Sequence, residues 1–215
     1  MKLKLKLLGS IVVISIVIAM VAGYLVYQEE KEPCGRSVWY TFEDYTSHAA
    51  WEGVANEESP VFTPDKYMKK PFDFNGYENI KFSDDKLEET RSDDKTETEL
   101  PLHTGYPYQL FIFKITSENV KSISVKWEGL GYFFYSIPEL TGAAVYVWNK
   151  TLCNWTEIGG YSNKTGKQII TCSLTNPSDF MDNGFISILA YCKILGGGES
   201  TSHLETDYVE VKTVS

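Results

Sequence analysis

A chain of 215 residues is long enough for one domain of ordinary size with a hydrophobic core, and too short for two large domains. Its aromatic content of 14% favours β-strands and excludes disorder over most of the length. The net charge of −9 makes an acidic surface that repels phosphate groups, so we exclude a nucleic-acid partner.

The N-terminal segment predicts where the rest of the chain is located. Lysines are the charged residues of the basic tip (1–6), and residues 7–26 follow without any charged side chain. As a helix that run is about 30 Å long, which is the thickness of a bilayer's hydrocarbon core. The positive-inside rule places the tip in the cytoplasm and the remainder outside, where a linker (27–36) leads to a domain (37–215). A cleaved signal peptide is the alternative, although its apolar core would be shorter.

Alternation of apolar and polar residues predicts β-strands after the linker. Ile123, Val125 and Trp127 share the inward face of one strand, which the glycines that follow are expected to end. Residues 108–115 are apolar on both faces, as a central strand covered on both sides would be. Four further runs within 144–214 indicate one half of a β-sandwich. No helical pattern accompanies them, so we predict an all-β fold of about eight antiparallel strands in two sheets.

Three other segments complete the chain. Residues 37–42 alternate and predict a first strand. Residues 45–71 contain three prolines and no sustained period, which predicts a long loop with at most one short strand. Residues 78–99 hold nine acidic side chains against four basic ones, which predicts an exposed, mobile acidic loop.

A succession of five segments resembles a known family. They are QLFIFKI (109–115), ISVKWEG (123–129), VYVWN (145–149), WTEIG (155–159) and DYVEV (207–211). Together they resemble archaeal cell-surface jelly-roll modules, which belong with the galactose-binding-like and carbohydrate-binding-module sandwiches. The resemblance covers residues 106–214 and includes no catalytic signature. It implies a jelly-roll β-sandwich with a binding role, although such modules differ widely in what they bind.

Asp207 is unusual within the last predicted strand, because it shares a face with Val209 and Val211 and so points toward the core. A buried carboxylate requires a charged partner, an array of donors or a cation. In the sandwiches that this chain resembles, a structural calcium ion often bridges an early acidic residue and a late aspartate. The resemblance therefore implies Ca²⁺ at Asp207 together with Glu43 and Asp44, and the alternative is a carboxylate capped by backbone N–H groups.

Motifs of catalysis are absent from the sequence. There is no nucleophile elbow, no phosphate-binding glycine loop and no zinc-protease helix. His48, His103 and His203 stand alone in the sequence and are predicted to be surface histidines. Carboxylates are so numerous that no pair can be singled out as acid and base. We therefore predict that the protein is not an enzyme, with a hydrolase as a distant alternative.

Four cysteines outside a membrane invite disulfide bonds, because that compartment is oxidising. If the strand after Cys153 formed a hairpin with the strand that contains Cys172, these two residues would lie close together. Cys34 and Cys192 would then be left to form the second disulfide bond with each other. Buried free thiols are the alternative for Cys172 and Cys192.

Three asparagines match the pattern of N-glycosylation acceptors: Asn149, Asn154 and Asn163. Their close spacing, on the turns of one predicted hairpin in an extracellular domain, favours glycosylation. The alternative is that asparagine occurs there because it suits turns.

Consecutive aromatic residues in the segment GYFFYSIP predict a binding loop. Alternation along the backbone should turn at least one or two of Tyr132, Phe133, Phe134 and Tyr135 away from the core. Loops on a rigid sandwich usually carry the binding residues, and Trp51 is a further loop aromatic available for stacking. The alternative is that the four rings cover one end of the sandwich.

Two functions fit these patterns. The first is a membrane-anchored, extracellular, non-catalytic module that binds or adheres to carbohydrate or to another envelope component. The second is a structural, glycosylated protein of the cell envelope, whose partners are copies of itself or a surface layer. An exposed aromatic cluster would favour the first, and a smooth, glycan-covered surface with a free edge strand would favour the second.

Overall fold

The fold is mostly β and consists of two antiparallel sheets packed face to face. This computed structural model describes residues 36–44, 46–92, 104–133, 137–196 and 201–215. Eleven strands lie within these ranges: β1 (Ser37–Tyr40), β2 (His48–Ala55), β3 (Lys70–Pro71), β4 (Glu88–Arg91), β5 (Tyr106–Lys114), β6 (Ser122–Tyr132), β7 (Gly142–Asn149), β8 (Asn154–Ser162), β9 (Gln168–Leu174), β10 (Phe185–Cys192) and β11 (His203–Val214). One short α-helix of the described residues, α1 (Phe74–Asn79), lies between β3 and β4. The predicted all-β class is confirmed, with more strands than expected.

The strand order shows how the chain crosses between the sheets. One sheet has the order β1-β11-β6-β9, and β4 also pairs with β11. The other sheet has the order β3-β2-β5-β10-β7-β8. The runs predicted within 144–214 therefore do not form one half of the sandwich. They divide between the sheets, with β7, β8 and β10 in the six-stranded sheet and β9 and β11 in the five-stranded one.

Side chains from the two inner faces form the main core. Trp127 on β6 is fully buried, and its indole N–H donates to the hydroxyl of Thr206 at 2.8 Å. Ile123 and Val125 on the same strand are also buried, so the predicted inward face is confirmed. A hydrogen bond for the indole matters because a buried N–H without an acceptor costs stability.

The glycines after Trp127 do not end β6, which continues to Tyr132. A Cβ atom at Gly129 would clash with the carbonyl oxygen of Glu205 on β11. Glycine at this position therefore allows β6 and β11 to lie close together.

Strand β2 corrects the prediction of a long loop over residues 45–71. Its eight residues pair with β5 along their whole length, from His48 opposite Phe113 to Ala55 opposite Tyr106. The sequence HAAWEGVA contains three alanines and a glycine, which have a weak preference for strands. Pairing with the apolar strand β5 forms this strand, and local sequence preference does not.

Strand β4 corrects part of the predicted acidic loop. It pairs with β11, and Thr90 in it is fully buried. The Thr90 hydroxyl donates to the buried carboxylate of Glu52 at 2.8 Å, and the amide of Gln109 donates to Thr90 at 3.0 Å. The prediction of an exposed loop is therefore wrong for β4, and residues 93–99 lie outside the described residues.

The predicted membrane segment at residues 7–26 also lies outside the described residues. Within the part of the chain that the structure describes, no helix is long and apolar enough to cross a membrane.

The cysteines contradict one predicted disulfide. Strand β8 pairs with β7 and β9 pairs with β6, so the hairpin that would bring Cys153 to Cys172 does not form. Both residues are free thiols, and Cys153 is exposed on the turn between β7 and β8. Cys192 is also a free thiol and is fully buried, and Cys34 lies outside the described residues.

We predict strongly different thiol reactivities in the native protein. Burial raises the pKa of Cys192 to about 12, so its reactive thiolate is scarce at neutral pH, whereas Cys153 is exposed. Iodoacetamide should label Cys153 first, and should reach Cys192 only after unfolding in urea, as read by peptide mass spectrometry. If Cys192 resisted labelling in urea until a reductant was added, it would be disulfide-bonded, and the predicted pairing with Cys34 would gain support.

Candidate ligand-binding groove

The outer face of the six-stranded sheet is aromatic, although an outer face usually contacts water. A second buried cluster lies there, distinct from the core between the sheets. Its largest members are Tyr67, Tyr108, Tyr146, Trp155 and Tyr191. Because both faces of this sheet are apolar, the predicted double coverage of β5 is confirmed.

A covering loop, residues 56–69, lies over part of this aromatic face. The ring of Tyr67 contacts those of Tyr108 and Trp155, with centroids 4.9 and 5.9 Å apart. The indole N–H of Trp155 donates to the carbonyl oxygen of Phe62 at 2.6 Å, and the Tyr191 hydroxyl donates to that of Glu57. Hydrogen bonds to backbone carbonyls thus fix the covering loop on the sheet, and the part of the face that it leaves uncovered is a groove.

The groove has a volume of about 630 Å³ and a floor of small and aliphatic side chains. Ala49 on β2, Ile112 on β5 and Ser187 on β10 lie side by side in the sheet register. Larger residues border this row, so the floor is lower than its surroundings. The volume lies within the range of about 300–1,000 Å³ that is typical of small-ligand sites.

Aromatic side chains form the walls of the groove. Trp51, Trp148 and Phe185 line it, and Phe185 is 41% exposed. The indole of Trp148 meets that of Trp155 edge-on, with centroids 5.5 Å apart. Since Trp155 is itself anchored to the covering loop through Phe62, the orientation of Trp148 is restrained before any ligand binds.

One side of the groove rim is a tight turn. Asp182 and Phe185 exchange two backbone hydrogen bonds of 2.8 and 2.9 Å. Asn183 and Gly184 between them have φ values of 50° and 82°, the left-handed conformation that asparagine and glycine tolerate best. The side chains of Asp182 and Asn183 therefore line the groove from a defined backbone.

The opposite side of the rim comes from the covering loop. Asp65 lines the groove beside Thr63, whose hydroxyl donates to the Asp65 carboxylate at 2.5 Å. This hydrogen bond lowers the pKa of Asp65, so the group is ionised at neutral pH. The rim thus offers carboxylate, amide and hydroxyl groups around an aromatic interior.

Of the predicted ligand-binding aromatics, Trp51 lines the groove. Tyr132 lies elsewhere, on β6 of the five-stranded sheet, where its ring stacks on His203 with centroids 4.7 Å apart. Its hydroxyl donates to Glu205 at 2.7 Å, and burial together with this carboxylate raises the pKa of Tyr132. Phe133 is partly buried beyond the end of β6, and Phe134 and Tyr135 lie outside the described residues.

Sequence reasoning missed most of the groove. The sequence predicts a strand at Trp148, and its alternation pattern contains one indication that this side chain lies on the outer face. Tyr146 and Trp148 share the face of β7 opposite Val145 and Val147, and all but Trp148 are buried. Aromatic residues on the outer face of a strand indicate that this face is covered or that it binds something.

The histidines differ from the prediction. His48 is buried and not at the surface, because its Nδ1 accepts the backbone N–H of Lys114 at 3.2 Å and its ring packs near Phe113. His203 is partly exposed and lies 2.6 Å from a carboxylate oxygen of Glu89. His103 lies outside the described residues.

Asp207 is fully buried, as predicted, but the sheet register shifts between Thr206 and Tyr208. This bulge interrupts the alternation on which the inward face was predicted. The Asp207 carboxylate lies 2.5 Å from the ammonium of Lys167, which also contacts Asp85 at 2.6 Å. These hydrogen bonds to carboxylates raise the pKa of Lys167, so the ammonium stays charged and neutralises the buried acid.

The calcium ion implied by the resemblance therefore has a competitor. An ammonium against Asp207 repels a cation and takes the place that Ca²⁺ would need beside the carboxylate. Across the described ranges, no three histidine, cysteine, aspartate or glutamate side chains converge to hold a metal ion. Glu43 is exposed, and the Asp44 side chain lies outside the described part of the structure. Calcium at Asp207 stays a prediction.

The three glycosylation candidates have different surroundings. Asn149 is only 6% exposed, and its amide oxygen accepts the backbone N–H of Leu152 at 2.9 Å. Asn154 and Asn163 are exposed. The surroundings disfavour a glycan on Asn149, and glycosylation at Asn154 and Asn163 stays a prediction.

Comparison with known proteins gives one family and several distant structures. The family described as "AF_1625_C: Uncharacterized protein, C-terminal domain" matches residues 47–215. A search of curated proteins found no match.

Similar solved structures include the xylan-binding module CBM15, which is 8% identical, with a TM-score of 0.41 over 84% of this chain and 97% of that one. Another is TmCBM61 in complex with beta-1,4-galactotriose, which is 10% identical, with a TM-score of 0.34 over 86% of this chain and 93% of that one. A third is a family 29 carbohydrate-binding module, also 10% identical, with a TM-score of 0.32 over 84% and 91%. With TM-scores this low they carry no functional argument, and no comparison supports an archaeal origin.

We predict that Lys167→Met lowers the free energy of unfolding by about 3 kcal/mol, because it leaves the buried Asp207 carboxylate without its counter-ion. Urea denaturation measures the change, and Lys164→Met, an exposed lysine nearby, is the control. Adding Asp207→Asn to Lys167→Met should recover part of the loss. An unchanged midpoint in Lys167→Met, or a wild-type midpoint that falls with a chelator, would contradict this account and favour calcium.

Proposed function

We propose that this chain, which belongs to the AF_1625_C family over residues 47–215, is a non-catalytic module that binds carbohydrate in the groove of its six-stranded sheet. One observation carries the proposal. The groove combines three aromatic walls, Trp51, Trp148 and Phe185, with a rim of carboxylate, amide and hydroxyl groups.

This combination suits a sugar better than other small ligands. A pyranose ring has apolar C–H faces and an edge of hydroxyl groups. Indole and phenyl rings pack against such faces, and they lose little conformational entropy in doing so. Carboxylates such as Asp182 accept hydrogen bonds from hydroxyls, and the Asn183 amide can both donate and accept.

The groove is also largely preformed, which lowers the entropy cost of binding. Its floor belongs to paired strands, its Trp148 wall is restrained by Trp155, and Asp182 and Asn183 extend from a two-residue turn. A groove assembled on a rigid sheet can present several weak contacts to a ligand simultaneously.

Asp65 is poorly suited to act as the general acid of a glycosidase. A general acid needs a raised pKa, whereas the hydrogen bond from Thr63 lowers the pKa of Asp65. Binding without hydrolysis is therefore the proposed activity, and a bound oligosaccharide should remain intact.

The strand order supports a finer description of the fold as a jelly roll. From β4 to β11 the chain alternates between the two sheets at every step except the β7–β8 hairpin. Strands β4, β11, β6 and β9 then face β5, β10, β7 and β8 as two sheets of four, with the remaining strands added at the margins.

The proposed place of binding is the outer side of a membrane, with residues 7–26 as the anchor. The support is in the sequence alone: lysines precede an uncharged run of bilayer length.

Removing either indole of the groove should weaken binding without unfolding the protein. We expect Trp148→Ala and Trp51→Ala each to raise the dissociation constant of a recognised oligosaccharide by about tenfold, which is the effect of losing one stacking contact. Glycan-array screening identifies the oligosaccharide, and calorimetric titration measures its affinity.

Trp39→Ala is the matched control, because Trp39 is 56% exposed on β1 of the other sheet, where the ammonium of Lys212 lies over its ring. Thermal melting of all variants separates lost contacts from lost folding. Equal loss of binding in the control, or no loss in either groove variant, would place the site elsewhere.

For the membrane location, protease added to intact cells should remove the domain and leave a small anchored fragment. A mature N-terminus near Tyr24 would exclude the anchor and indicate a secreted protein.

A further inference from the structure

The charge of the groove affects which classes of sugar it can bind. The charged residues that line it are both acidic, Asp65 and Asp182. Two lysines stand near them without lining the groove. Lys66 lies 3.6 Å from Asp65 in an exposed ion pair, and Lys114 lies opposite Phe185 in the sheet register.

The two carboxylates are not equivalent. Asp65 already accepts the Thr63 hydroxyl and has Lys66 beside it. Asp182 is exposed, and among the described residues its carboxylate has no ion-pair partner. Asp182 is therefore the uncompensated charge of the groove.

The position of Asp182 is fixed by the backbone. The tight turn between Asp182 and Phe185 holds the Cα atom of Asp182 just before the start of β10, on the same rim as Asn183. Because the backbone is already ordered, only the side-chain torsions of Asp182 must be fixed when a ligand binds, so the ordering cost that offsets the attraction is smaller than on a mobile loop.

We infer that the groove selects glycans whose sugars present a protonated amine, that it takes neutral glycans less tightly, and that it rejects uronic-acid and sulfated glycans. This inference rests on the proposed carbohydrate binding. A protonated amine that reaches Asp182 forms a charge-assisted hydrogen bond, which is stronger than the bond of a neutral hydroxyl.

An anionic sugar meets the opposite situation. Its carboxylate or sulfate would lie beside Asp65 and Asp182 and would lose hydration without gaining a cation among the groove-lining residues. The net charge of −9 adds a long-range repulsion that slows its approach.

The test uses three oligosaccharides of equal length: β-1,4-linked glucosamine, its N-acetylated form, and a uronic-acid chain. Calorimetric titration on the full chain is carried out at a mildly acidic pH, where the glucosamine amine is protonated. We expect glucosamine to bind about tenfold more tightly than the N-acetylated form, and the uronic-acid chain not to bind. The preference should decrease as salt is added, because exposed charges are screened.

Asp182→Asn should reduce the preference for glucosamine to about twofold or less, because glucosamine loses its charge-assisted hydrogen bond whereas the amide oxygen can still accept a hydrogen bond from a neutral hydroxyl. The control is Asp84→Asn, which removes an exposed carboxylate that pairs with Lys86 outside the groove. This variant should keep the wild-type preference.

The outcomes separate this inference from the proposed function. If the N-acetylated chain bound with Trp148-dependent affinity and glucosamine bound no more tightly, carbohydrate binding would stand and the selection by charge would be wrong. Equal binding of the uronic-acid chain would also overturn the selection. If a glycan array and all three oligosaccharides gave no binding, the proposed function itself would fail, and this inference with it.

Discussion

The six-stranded sheet must bury both of its faces, and the rest of the structure follows from this constraint. Strands β5, β7 and β10 carry large apolar side chains on each side, so the five-stranded sheet can cover only one of them. The outer face carries Tyr108, Tyr191 and Trp155, and each such ring gains about 2 kcal/mol when it leaves water. A covering loop is therefore required, and residues 56–69 provide it. The loop is anchored by side-chain donors of the sheet bonding to its own backbone carbonyls, which also satisfies polar groups that would otherwise be buried alone.

The groove exists because the covering loop ends before the sheet does. At the row formed by Ala49, Ile112 and Ser187 two of the three side chains are small, and the aromatic residues beside them form walls. The stability of the loop and the proposed binding thus depend on the same contacts. The hydrogen bond from Trp155 to Phe62 holds the loop in place, and the contact between Trp155 and Trp148 extends the same rigidity to a wall of the groove. A ligand site derived in this way is made of residues whose neighbours are already fixed.

Sequence reasoning found the elements whose signal is local and missed those that depend on partners. The inward face of β6 and the apolar strand β5 were predictable, because period and composition alone identify them. Strand β2 was not predictable, since small residues such as Ala49 and Ala50 form a strand only when β5 pairs with them.

The prediction of a disulfide between Cys153 and Cys172 was wrong, because nothing in the intervening turn shows that the chain leaves one sheet for the other. The burial of Asp207 was predicted correctly, but its partner Lys167 comes from a loop that sequence spacing does not bring near. In the groove, Trp51 was singled out, whereas Asp182 and Trp148 belong together only after the sheet is assembled.

The two outer faces of the sandwich differ in chemistry, and this difference favours the six-stranded sheet for the proposed binding. On the five-stranded sheet, aromatic rings such as Tyr208 and Trp39 lie under the ammonium groups of Lys126 and Lys212, and Lys167 neutralises the buried acid Asp207. Those rings and charges already have partners within the protein, so a ligand would have to displace a favourable contact in order to reach them. On the six-stranded sheet, Trp148 packs edge-on against Trp155, and the groove beside it leaves aromatic and aliphatic surface free above the floor. A ligand that covers this surface replaces water and not a protein contact, and for that reason the free energy of binding can be gained there at the lowest cost.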